Sequence, residues 1–236
     1  MKRKQLFRCY NHNQKTMKTS FLKTTIIPLI TAIIVGILFT VPMGLGDFTN
    51  IVATLLIILS SVIIFGKDAF KSLGLFNFKD QKRHFFTYAP LLAIALFAFY
   101  AFVLLPGVTF LTGQAIDYSE FKVFEGNLPA CAVLFIFIWV SAAFGEEIVW
   151  KGFFMRHFTR FFGDGKLALV INIILFGVLF GYVHAYQGIT GQIVAAITGM
   201  ILGFIFYKRK YNLWFNIAVH GFFDTIAVLC MYYGIL

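Results

Sequence analysis

Seven stretches of this chain are almost free of charge, at residues 24–46, 48–66, 85–116, 126–145, 167–183, 185–207 and about 211–236. Each approaches the ~20 residues that an α-helix needs to cross the hydrocarbon core of a bilayer. In that medium every backbone N–H and C=O must find its partner within the protein, so segments of this kind fold as helices. The overall balance agrees, with 13% charged residues and 60% hydrophobic residues, where a soluble domain carries about 25% charged. The expected fold is all-α, a polytopic transmembrane helix bundle of about seven to eight helices, the eighth allowed by the length of 85–116. Residues 24–236 are read as a single integral membrane domain, preceded by a basic cytoplasmic N-terminal segment at 1–23.

The net charge of +10 reports topology and not nucleic-acid binding, because of where the charges fall. Lys2, Arg3, Lys4, Arg8, Lys15, Lys18 and Lys23 precede the first stretch, and Lys67, Lys71, Lys79, Lys82 and Arg83 follow the second. Arg156, Arg160 and Lys166 follow the fourth, and Lys208, Arg209 and Lys210 the sixth. The alternate connections carry Asp47, then Asp117, Glu120 and Glu125 around one Lys122, then no charge at all. Positive residues on every second connection place the N-terminus in the cytoplasm and, for seven crossings, the C-terminus outside. A long polar prefix and an apolar run too long for a signal-peptide core make the first stretch a retained anchor. The setting that fits is a bacterial plasma membrane. Cys9, Cys131 and Cys230 are isolated, so neither a disulfide framework nor a CxxC site can be drawn.

Intramembrane ionisable residues are absent from the first three stretches and concentrate after residue 140. A charge at bilayer depth costs about 2.5–3.5 kcal/mol on insertion scales, so each one asks for a compensating reason. Glu146, Glu147 and Lys151 lie where the fourth stretch continues apolar through EEIVWKGFF; His184 closes LFGYVHAYQG; His220 and Asp224 sit in NIAVHGFFDT. Adjacent residues on a helix point about 100° apart, so Glu146 and Glu147 cannot both face one small site. Glu147 and Lys151, spaced i,i+4 with the acid first, are expected to neutralise each other in the wall, leaving Glu146 to face a cavity. His220 and Asp224 share a face at the same spacing. A turn at Gly163–Asp164–Gly165 would set Glu146 and His184 at comparable heights, roughly 25–30 Å from it.

A buried carboxylate with two histidines suits the activation of water and the hydrolysis of an amide. The same residue types are also normal zinc ligands, and the spacing leaves a metal-assisted and a metal-free route equally open. HExxH and GxSG motifs are absent. A GxGD match at Gly44–Asp47 has no Tyr-Asp partner and reads as a glycine-rich turn.

Taken together these residues resemble the CAAX protease and bacteriocin-processing family of intramembrane proteases, also called Abi. Its paired glutamates followed by Arg and Gly are matched by Glu146, Glu147, Lys151 and Gly152; its Phe-x-x-x-His by Phe180 and His184; its His-x-x-x-Asn/Asp by His220 and Asp224. The resemblance covers about residues 130–230 and departs from the family in Lys151, which lacks the planar fork of Arg. It implies a helical core with a catalytic cavity opening toward the cytosol and no required cofactor, a divalent metal such as zinc remaining open. It also implies Glu146 as general base, His184 as its partner on the water, His220 and Asp224 at the oxyanion, and Glu147 with Lys151 as supporting wall. The implied activity is endopeptidase cleavage of a peptide or membrane-protein substrate. The alternatives are a bacteriocin self-immunity protein of the same family and, less favoured by the unmatched halves of the chain, a transporter.

Overall fold

The computed structural model describes residues 21–41 and 43–235, so the expected basic segment 1–23 falls almost wholly outside the described residues. Among the described residues six helices are long and apolar enough to cross a membrane: α1 Leu22–Thr40, α2 Thr49–Ser72, α3 His84–Thr112, α4 Leu128–Phe162, α6 Ala185–Lys208 and α7 Leu213–Tyr232. The shorter apolar helix α5, Lys166–Tyr182, stands between α4 and α6. The described residues contain no strand. This is an all-helical, multi-pass membrane bundle, and the long stretch at 85–116 resolves into the one helix α3.

Its outer surface is apolar, as lipid requires: Phe102, Phe110 and Leu111 are 80%, 87% and 81% exposed. Polar side chains are turned inward instead. Thr31 of α1 donates a 2.8 Å hydrogen bond to Ser60 of α2, and Asn172, Asn216 and Glu147 are all buried.

Among the described residues two helices carry interior prolines, α1 at Pro28 and α3 at Pro90 and Pro106, and each proline is met in the same way. Wide turns closed by i→i+5 hydrogen bonds run over Leu22–Ile26, His84–Tyr88 and Tyr100–Leu104, just ahead of Pro28, Pro90 and Pro106. A proline ring clashes with the carbonyl four residues back, and widening the preceding turn moves that carbonyl away without breaking the helix. In α4 the wide winding extends over Ile138–Met155, which contains no proline and bears Glu146, Glu147 and Lys151.

Helix α4 starts at Asn127, whose side chain accepts a 3.2 Å hydrogen bond from the N–H of Ala130, with Pro129 in the first turn. It ends at Gly163, whose φ of +81° is open to glycine at little cost. The chain then doubles back, and α5 packs against the helix it has just left. Asn172 donates to the Met155 carbonyl and to Thr159 Oγ1, Phe176 stacks on Phe154, and Phe180 meets Trp150 edge-on. The pairing 172 with 155, 176 with 154 and 180 with 150 carries His184 up to the level of the α4 glutamates.

Helix α6 closes on α5 through small residues, the usual means of helix association in lipid. A side chain at Gly181 would collide with the Gln192 carbonyl and Ala196. On the other flank α7 meets α4 at Gly221, where a Cβ would lie 2.7 Å from the Trp139 ring. Trp139 fixes that seam by donating from Nε1 to Thr225 Oγ1 at 3.2 Å.

Candidate active site

Glu146 and Glu147 lie in mid-helix, 8% and 0% exposed, and not at a helix end facing the interface. They diverge as the helical geometry requires. Glu147 turns into the wall, where its Oε1 lies 2.8 Å from Lys151 Nζ and 3.1 Å from His220 Nδ1, while Oε2 accepts from Asn216 Nδ2 at 3.2 Å. Lys151 is itself 2% exposed, and its ammonium lies over the Phe180 ring, 4.7 Å from the centroid. Buried charge is tolerated only when paired and hydrogen-bonded, and Glu147 meets both conditions.

The α7 residues Asn216, His220 and Asp224 form a stripe at four-residue spacing. Asn216 ties the stripe to α6 by donating to the Leu202 carbonyl at 2.8 Å. His220 bridges the two acids flanking it: Nδ1 faces Glu147 and Nε2 lies 3.4 Å from Asp224 Oδ2. Carboxylate oxygens face both ring nitrogens, an arrangement satisfied when both nitrogens carry protons.

His184 is placed differently, just beyond the end of α5. Its Nδ1 lies 2.7 Å from the Phe180 carbonyl. A carbonyl only accepts, so Nδ1–H is the donor and, in the neutral ring, Nε2 holds a free lone pair. The rings of Phe180 and Tyr186 flank the imidazole, with centroids 4.6 Å and 5.9 Å away.

Glu146, His184, His220 and Asp224 all line one cavity of about 250 Å³, and Glu147 and Lys151 do not. The rest of its lining is mostly apolar, including Leu96, Phe97, Leu134, Ile138, Phe223 and Met231. Tyr118 and Phe121, from the connection between α3 and α4, also contribute. Tyr118 meets Tyr100 in a 2.6 Å hydroxyl–hydroxyl hydrogen bond, and burial pushes the Tyr118 phenol up. No residue of the basic connections at 66–83, 156–166 or 208–212 lines the cavity. The lining thus extends from the polar cluster toward the acidic connection and away from the basic ones, which the charge pattern predicts on the cytosolic side where the resemblance implies the opening.

The six residues singled out in the sequence are therefore brought together, four on the cavity and two behind it. Two further polar partners were not singled out in the sequence. Asn216 stands one turn before His220 on the same face and was legible as an extension of that stripe. Asn50, at the start of α2, donates from Nδ2 to Glu146 Oε1 at 3.0 Å, and nothing near it in sequence marks it. Among the described residues no three His, Cys, Asp or Glu side chains converge as metal ligands. His220 has a carboxylate oxygen facing each ring nitrogen, while His184, with Nδ1 on a carbonyl, keeps Nε2 open as a metal-ligating imidazole also would.

No curated protein and no solved structure matches the chain. Residues 127–226 match the family model described as type II CAAX prenyl endopeptidase Rce1-like. That match encloses every residue from Glu146 to Asp224 and leaves Asn50 outside. Over this core, 100 of its 236 residues, the chain is similar to the Rce1-like branch of the CAAX protease and bacteriocin-processing family, a family of membrane proteases.

Proposed function

We propose that the protein is an intramembrane endopeptidase that hydrolyses a peptide bond with water activated by Glu146. The observation that carries this reading is the division of labour between the two glutamates. Glu147 is neutralised in the wall by Lys151, while Glu146 faces an apolar cavity together with His184, His220 and Asp224. Glu146 takes a proton from a water held by the free Nε2 of His184, and the water oxygen attacks the carbonyl carbon. The oxyanion that forms is stabilised by a proton on His220, which Asp224 and Glu147 hold in place. Asp224 accepts hydrogen bonds when ionised, so it orients His220 and leaves donation to the imidazole. Glu146 then returns its proton to the leaving amide nitrogen as the C–N bond breaks. General acid–base catalysis of this kind contributes about 10²–10⁴-fold, and one oxyanion donor about 10²–10³-fold. No step is routed through a metal.

The family name points to peptides ending in a prenylated CAAX box, and the mostly apolar cavity is compatible with a lipid-modified or membrane-embedded substrate. The distribution of basic residues supports an N-terminus in the cytoplasm, and a bacterial plasma membrane is proposed by analogy alone. The test is cleavage by protein reconstituted in liposomes. The probes are a quenched fluorescent peptide ending in a farnesylated CAAX box and a library of unmodified quenched peptides. Wild type is expected to cleave with and without chelator, and Glu146→Gln to lose at least about 100-fold. Cleavage that vanishes with chelator would replace this reading with a metal-dependent one. Cleavage that Glu146→Gln leaves intact would remove Glu146 from the chemistry, and a chain that cleaves nothing would favour the immunity role.

A further inference from the structure

The family match begins at residue 127, yet the cavity-facing glutamate is held by a residue far upstream of it. We propose that Asn50 of α2 is a positioning residue for Glu146, so that the site is completed by the N-terminal half of the chain; this rests on the endopeptidase reading above.

The contact is specific in its chemistry. Asn50 Nδ2 donates to Glu146 Oε1 at 3.0 Å and takes one of that oxygen's lone pairs. The carboxylate is thereby fixed in rotation about its last bond, with its remaining lone pairs available to the attacking water. Catalytic groups need to be held to within a fraction of an ångström, and a side chain locked by a second hydrogen bond meets that demand. The sequence next to Glu146 contributes to this. A Cβ at Gly145 would lie 3.1 Å from Thr54 Oγ1, closer than most side-chain contacts, so the glycine eases the approach of α2 to α4. Thr54 in turn donates to the Asn50 carbonyl at 2.7 Å and fixes the first turn of α2 at this point.

The other end of the same amide is unsatisfied. Asn50 Oδ1 is buried and has no hydrogen-bond partner. Orphaned polar atoms inside proteins are uncommon and call for an explanation. Asn50 is not among the residues that line the cavity, so the orphaned oxygen is a polar cost accepted in aiming Nδ2 at Glu146. Asn50 therefore orients Glu146 from behind the cavity. The first four helices of the bundle supply both the base and its holder, and the later helices supply the histidines.

The experiment compares wild type, Glu146→Gln, Asn50→Ala, Asn50→Asp and Thr54→Val in the liposome cleavage assay, reading kcat and KM separately. Asn50→Ala should lower kcat about 10- to 100-fold with KM changed less than about threefold, since orientation is lost and the apolar cavity is untouched. Asn50→Asp is isosteric and sets an acceptor against an acceptor, so it should lower kcat at least as far. Thr54→Val keeps the shape and should stay within about twofold of wild type. Glu146-dependent cleavage with Asn50→Ala kcat within about twofold of wild type overturns this inference alone. A fall in kcat for Asn50→Ala that Asn50→Asp fully reverses also overturns it, since donation would then be irrelevant. Absence of Glu146-dependent cleavage overturns the endopeptidase reading and this inference with it.

Discussion

Replacing Lys151 by Met tests the wall of the site without touching the cavity. Met has nearly the same volume and an unbranched stem, so it fills the same space, and volume-conserving swaps usually cost less than about 1.5 kcal/mol. What is removed is the charge 2.8 Å from Glu147 Oε1 and the cation over the Phe180 ring. At an effective dielectric of about 20, opposite charges at that distance attract by about 6 kcal/mol. The ammonium of Lys151 is no longer desolvated in the variant, which offsets part of that loss. Breaking a buried pair by removing one partner typically costs about 3–5 kcal/mol because the remaining charge is uncompensated. His220 and Asn216 still hold the two oxygens of Glu147, which places the expected loss at the lower end, about 3 kcal/mol. The double variant Lys151→Met, Glu147→Gln removes both charges and should recover most of it. The assay is reversible unfolding in mixed micelles of a mild detergent and dodecyl sulfate, followed by tryptophan fluorescence. A single variant within about 1 kcal/mol of wild type, or a double variant no more stable than the single, would refute the argument that charge compensation holds this wall together.

Lys151→Arg restores the family's residue, and its planar fork can reach both Glu147 oxygens. Activity in the cleavage assay should be preserved or raised, and a tenfold fall in kcat would show that the wall is built around the slimmer ammonium and Phe180. Gly181→Leu drives a side chain into Gln192 and Ala196 and should part α5 from α6, costing at least about 3 kcal/mol in the same unfolding experiment. Stability within about 1 kcal/mol of wild type would mean that the α5–α6 seam is not closely packed.

How far the sequence foretold the structure varied with the range of the interactions. The helices were legible because bilayer thickness sets their length, and the i,i+4 pairs Glu147–Lys151 and His220–Asp224 were legible because helical spacing alone brings them together. The turn at Gly163–Asp164–Gly165 even set His184 against the α4 glutamates, since a hairpin fixes relative height by counting residues. The partners of His220 were not fully legible: it was expected to work with Asp224 alone and instead also reaches Glu147, a contact decided by how α7 lies against α4. The contact of Asn50 with Glu146 was beyond reach for the same reason, because it is decided by how α2 lies against α4. The wide winding of α4 had no warning either, since the three other wide turns precede a proline and this one does not.

The two partnerships of the α4 glutamates also bear on how such a chain enters a membrane during synthesis. Helices are delivered in order, so α4 arrives when α1 to α3 are in place and α7 does not yet exist. At that moment His220, Asn216 and Asp224 can offer nothing, and a bare carboxylate pair would oppose insertion by about 2.5–3.5 kcal/mol per charge. Lys151 travels on the same helix and neutralises Glu147 from the outset, while Asn50 is already waiting for Glu146. The reactive half of the protein can thus be threaded into lipid before the residues that complete it have been translated.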